Sequence, residues 1–197
     1  MNYLAHIYLS SDDDEIKIGN FIADFIYGNR YQNFSEGIQK GILLHRYIDT
    51  FTDSHPVFRQ SKKRLFPNFR HYSSVIVDMF YDHFLAKNFS KYSDESLEDF
   101  ALNFYTLLEN HQGDLPQKVQ QILPVMSQYN WLLNYRNIDS LQSILKQMNH
   151  KTKHETALHQ SIENLKSDYD LFEKEFTLFF KDMLTEQKKM FKDLKIN

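Results

Sequence analysis

Only 5 glycines and 4 prolines interrupt 197 residues, and Leu, Phe, Ile and Tyr recur at steps of three and four. Few breakers leave long uninterrupted segments, and a step of three to four is the period of an amphipathic helix, not the alternation of a strand. The chain is therefore expected to be all-α, a single-domain helical bundle over residues 1–197. Its 42% hydrophobic content can fill one substantial core, and its length falls in the roughly 100–200 residues usual for one domain.

The punctuation predicts where the helices stop. A short helix near 2–10 gives way to Ser10-Ser11-Asp12-Asp13-Asp14, a run of N-cap formers, before a helix over about 14–28 that ends at Gly28-Asn29. Ser35 and Glu36 open another that runs to about His55, where Pro56 breaks or redirects it. Further helices are expected over about 57–66, 72–89 and 94–110, then, past Gly113-Asp114-Leu115-Pro116, between Pro116 and Pro124 and over 131–135 and 139–148. The last, about 154–190, carries Leu158, Ile162, Leu165, Tyr169, Phe172, Phe176 and Phe179 as one stripe to lay along the bundle. No internal repeat or low-complexity linker suggests a second domain.

Composition excludes several chemistries. Without cysteine there is no disulfide framework, thiolate metal site or cysteine nucleophile, and a reducing cytoplasmic setting is expected. A formal net charge of −3 argues against general nucleic-acid binding. No apolar run approaches the about 20 residues of a membrane helix, and no signal sequence is evident. Charge is unevenly distributed, however. No acidic residue falls between Asp53 and Asp78, where Arg59, Lys62, Lys63, Arg64 and Arg70 all stand.

Chemistry concentrates in the first 83 residues. His45, Asp49 and either Thr52 or Asp53 share one helix face, so two groups one turn apart could hold one cation or could form a capped surface pair. Asp78 and Asp82 stand one turn apart, next to His83, in one of the most apolar stretches, where unpaired carboxylates would repel and turn neutral. His6 and Asp24 are likewise flanked by apolar residues on both sides. Each alone fits a satisfied core polar group; together the set suits a hydrolytic divalent cation, since imidazole and carboxylate are its ligands. His150, His154 and His159 lie among Lys151, Lys153 and Glu155 and read as a solvated helix start, as Lys188, Lys189, Lys192 and Lys195 read as a solvated helix end. There is no P-loop, dinucleotide fingerprint, nucleophile elbow or H-E-x-x-H motif.

These same residues carry a resemblance. Met1-Asn-Tyr-Leu-Ala-His6, Gly19-Asn20-Phe-Ile-Ala-Asp24-Phe, His45-Arg46-Tyr-Ile-Asp49, Thr52-Asp53 before Pro56, Asp78-Met-Phe-Tyr-Asp82-His83-Phe-Leu, and Trp131-Leu with Tyr135 resemble the bacterial acyl carrier protein phosphodiesterases, or holo-acyl carrier protein hydrolases, over nearly the whole chain. The resemblance implies a divergent HD-domain-like phosphohydrolase, with Mn²⁺ as the usual metal and Mg²⁺ or Fe²⁺ as alternatives. It also implies a setting in fatty acid biosynthesis and lipid metabolism. The implied reaction removes 4′-phosphopantetheine from the serine of holo-acyl carrier protein. The His-Asp doublet that names the HD group is absent, and the nearest pair is the reversed Asp82-His83.

Within that frame His6, Asp24, His45 and Asp82 are the expected metal ligands, with Asp49, Asp53 and Asp78 as alternates or as partners orienting the imidazoles. Asp24, His45 and Asp49 are expected to act in catalysis, with Arg46 as a fork for phosphoryl oxygens and His83 or a metal-bound water as proton donor to the leaving serine. Arg59, Lys62, Lys63 and Arg64 are expected to steer the acidic carrier protein. Two other readings stay open: an HD-type phosphohydrolase of a nucleotide or other small phosphoester, and a non-catalytic helical interaction module.

Overall fold

The computed structural model describes residues 1–149 and 157–196, and every regular element among them is helical. Two short helices, α1 (Tyr3–Tyr8) and α2 (Asp14–Ile22), open the chain. Asn2 and Asp13 cap their first turns, each side chain accepting a backbone N–H that has no partner within the helix. The expected helix to residue 28 stops instead at Ile22. A 3₁₀ turn, Ala23–Phe25, follows and carries Asp24 out of the helical line.

Next come α3 (Glu36–Ser54), α4 (Pro56–Phe69) and α5 (Ser73–Lys87). Pro56 redirects the chain by starting α4 at its first turn, where proline's fixed φ and missing N–H cost nothing. Two other prolines do not end their helices. α4 continues through Pro67, and α7 (Gln117–Gln128) through Pro124, each helix ending within four residues of its proline. α6 (Leu97–Asn110) is capped by Ser96, and α8 (Trp131–Asn134) and α9 (Ile138–Asn149) fall close to expectation. The long final stripe divides at Asp168 into α10 (Ser161–Ser167) and α11 (Tyr169–Leu194).

One core joins these helices. Phe172, Phe176 and Phe179 of α11 are fully buried and pack edge-on, tilted or, for Phe176 on Phe84, stacked against Phe80, Tyr81 and Phe84 of α5 and Phe58 of α4. Aromatic pairs in such orientations add roughly 0.5–1.5 kcal/mol each beyond the area they bury. Against this slab stands a second layer, α1, α2 and α3. Gly19 of α2 faces Gly41 of α3 so closely that a Cβ on either would collide with the other helix's backbone, at the carbonyl oxygens of Ile38 and Ile16 respectively. That main-chain contact sets the distance between the two helices that carry the polar residues discussed next.

Candidate active site

Two imidazoles form the floor of the site. His6 of α1 and His45 of α3 are buried and stacked, with ring centroids 3.9 Å apart and planes 14° from parallel. His6 Nε2 lies 3.2 Å from Asp49 Oδ1, while His45 Nε2 lies 3.1 Å from Asp49 Oδ2 and 3.3 Å from Asp24 Oδ1. Both carboxylates are partly open to solvent, so the cluster is closed on its imidazole side and open on its carboxylate side. It borders a cavity of about 590 Å³, lined by Asp24, His45 and Asp49 and further on by Tyr72, Val75 and Met148.

The two imidazoles differ in proton affinity. Burial and the neighbouring positive charge of His45 push His6 down to about 4. Burial opposes the charge on His45 as well, but hydrogen bonds to Asp24 and Asp49 outweigh it and raise the group to about 9. Partial burial opposes the charge on Asp49, yet its hydrogen bond with His45, with the His6 ring and the Met1 α-amino group nearby, holds it far below the usual carboxylate range. Asp24 is lowered chiefly by its bond to His45. Without a cation, one proton on His45 serves two carboxylates, and His6 Nε2 is buried with no hydrogen-bond partner.

That donor set fits a divalent metal. The ligand atoms of His6, His45 and Asp49 all lie within 4.8 Å of one another. Bonds of about 2.0–2.2 Å place neighbouring ligands on one ion roughly 3 Å apart, close to the separations found here. An orphaned buried imidazole nitrogen facing the Asp49 carboxylate is what a cation would satisfy.

The remaining expected residues lie outside the cluster, although Asp53 and Asp78 line the same cavity. Asp82 is fully buried, but its carboxylate accepts the backbone N–H groups of Leu4 (2.8 Å) and Asn2 (3.3 Å), capping α1; burial raises it to about 7 despite those bonds. It does not line the cavity. Asp78 does, with Oδ1 2.8 Å from the buried α-amino group of Met1, which also lies 3.8 Å from Asp49. Asp53 lines the cavity from the exposed end of α3. His83 is committed to the core: its ring nitrogens bond to the Tyr135 carbonyl and the Tyr169 hydroxyl, each at 2.8 Å, and burial lowers its pKa. Arg46 points away from the cluster. It donates to the carbonyls of Gly28 and Ile26 and stacks over Tyr31, so it fixes the turn after Asp24.

Arg64 is also turned inward. Its guanidinium makes a two-pronged pair with the buried Glu175 (2.9 and 2.7 Å) and lies over Phe172, tying α4 to α11. Arg59 and Lys63 are exposed on α4 and Lys62 partly so. His159 bonds to Asn149, whereas His150 and His154 lie outside the described residues. Asn20, which stands in the sequence only as part of the Gly19–Phe25 motif, touches both imidazoles; an amide at no helical spacing from either histidine gives no periodic signal.

Comparison with known proteins places this chain in a family. The model of the family described as acyl carrier protein phosphodiesterase matches residues 1–183. This chain belongs to the acyl carrier protein phosphodiesterase family. Among relatives bearing that name, one from Escherichia coli O6:H1 is 31% identical over 191 residues, covering 94% of this chain and 97% of the relative. One from Photorhabdus laumondii is 30% identical over 185 residues, 93% of each chain, and one from Enterobacter is 30% identical over 189 residues, 95% and 98%. No solved structure gives a significant match. Membership in the acyl carrier protein phosphodiesterases rests on most of the length of the chain, and the cluster of His6, Asp24, His45 and Asp49 lies within the matched span.

Proposed function

We propose that this protein is a divalent-cation-dependent phosphodiesterase that cleaves the link between serine and 4′-phosphopantetheine in holo-acyl carrier protein. The observation that carries the reading is a cluster of two buried imidazoles and two part-open carboxylates, three of whose members, Asp24, His45 and Asp49, line one cavity, in a chain of this family. His6, Asp24, His45 and Asp49 would hold the cation, Mn²⁺ first and Mg²⁺ or Fe²⁺ as alternatives. When bound, such an ion supplies Lewis acidity, polarising phosphoryl oxygens and making water more acidic.

The protein's own residues do the rest. The stacked rings and the layer behind them exclude water from the floor, so the reacting group is met only from the carboxylate side. Asp78 and the α-amino group of Met1 form a fixed ion pair beside Asp49 and hold that carboxylate's flank in place. Tyr72, Val75 and Met148 give the cavity an apolar wall against which a pantetheine arm can lie. Arg59, Lys62 and Lys63, on the helix that follows α3, present positive charge to an acidic carrier protein.

Mass spectrometry of holo-acyl carrier protein tests the reading. With Mn²⁺ the carrier should lose the mass of its prosthetic group. With chelator, or with His6→Ala in a folded protein, it should keep it. An unchanged carrier with the folded, Mn²⁺-supplied wild type would overturn the proposal.

A further inference from the structure

We infer that Asn20 is the positioning residue of the site, fixing the tautomers of both His6 and His45 so that the Nε2 lone pair of His6 faces Asp49 and that of His45 faces Asp24 and Asp49. The inference rests on the metal-site reading above only for its consequence; the tautomers follow from hydrogen bonding alone. Asn20 is fully buried, and three of its polar groups are engaged with the floor of the site. Its Nδ2 donates to the carbonyl of His6 (2.7 Å) and to Ser10 Oγ (2.9 Å), which identifies its other side-chain atom, Oδ1, as the oxygen. Oδ1 lies 2.9 Å from His6 Nδ1, and an amide oxygen can only accept; the proton of neutral His6 is therefore on Nδ1. The backbone carbonyl of the same residue lies 2.8 Å from His45 Nδ1 and can likewise only accept.

One residue thus uses its side chain for one ring and its main chain for the other. In both rings the nitrogen left with a lone pair is Nε2, the one facing the carboxylates. The main-chain bond depends on the close approach of α2 to α3 at Gly19 and Gly41, one residue before Asn20 and four before His45. An imidazole whose far nitrogen is pinned by an acceptor is oriented and made more basic, and loss of such a partner commonly lowers metal affinity by about 10–100-fold.

Two measurements test this on the full-length protein labelled with ¹⁵N at histidine. Long-range ¹H–¹⁵N spectra of metal-free protein at alkaline pH report the tautomer of each neutral ring, and calorimetric titration with Mn²⁺ alone reports affinity. Wild type should show Nδ1–H for both His6 and His45. Asn20→Leu, similar in volume but without an acceptor, should release His6 from the Nδ1–H form and weaken Mn²⁺ binding by about 10–100-fold. Asn20→Asp, which keeps an acceptor oxygen at His6, should restore the tautomer and most of the affinity.

A wild type with Nε2–H at His6 or His45 overturns the inference whether or not any variant folds. So does Asn20→Leu with unchanged tautomers and affinity, and so does equal loss in Leu and Asp variants, which is what a merely structural asparagine would give. A wild type that shows both expected tautomers but binds no Mn²⁺ supports the positioning role and overturns the metal reading instead.

Discussion

At the residue scale, the paired imidazoles hold their protons in opposite ways, and stability should report it. His45 keeps its proton in the folded state up to about pH 9, against 6.5 in the unfolded chain. The folded state then binds more protons than the unfolded state between those values, so the contribution of His45 is complete below pH 6.5 and is lost as pH rises through about 9. His6 behaves inversely: lowered to about 4, it contributes above pH 6.5 and loses that contribution as pH falls toward 4. In chelator-treated protein, therefore, the melting temperature of wild type should fall more steeply from pH 6.5 to 9 than that of His45→Gln. Parallel curves for the two proteins in thermal melts would contradict the assignment of that proton.

At the element scale, α1 is only six residues long, too short to hold itself together, and depends on what docks it. Asp82 supplies the dock by accepting two N–H groups at the helix start. Asp82→Ala should cost about 1–3 kcal/mol in denaturant unfolding, the penalty for leaving buried donors unpaired. The folded fraction should still take up Mn²⁺, because the carboxylate does not face the metal side; loss of uptake by a fully folded variant would return Asp82 to the ligands. The sequence shows why this residue misleads. A carboxylate in an apolar stretch announces that it has a buried partner, but not whether the partner is a cation or a helix end. His83 and Arg64 pose the same problem, solved respectively by a carbonyl with a hydroxyl and by Glu175. The elements themselves were largely legible, since periodicity and caps are local. The breaks at Ile22 and Asp168, and the continuation through Pro67 and Pro124, were not, because packing decided them. His6, Asp24, His45 and Asp49 could be picked out as polar residues in apolar helices, whereas the role of Asn20 emerges only when α2 meets α3.

At the scale of the whole molecule, the site and the outward-facing charges of α4 are separable. Reversing Lys62 and Lys63 to Glu should slow hydrolysis of holo-acyl carrier protein by at least about tenfold at low salt and weaken its salt dependence, because both charges act across solvent. A small phosphodiester should be turned over as before. Equal loss on both substrates would tie the segment to the chemistry itself, and no loss on either would leave it as ordinary surface. Arg64 is unsuited to such a test, since removing it strands the buried Glu175. The contact of Gly19 with Gly41 has a different reach. A spacing set by two backbones does not depend on the volumes of the surrounding apolar side chains, so a combinatorial library that reshuffles Ile, Leu and Phe throughout the interior should yield many survivors with altered stability and unaltered chemistry. Libraries that vary these two glycines should yield almost none, which makes them the pair to hold constant when the fold is redesigned.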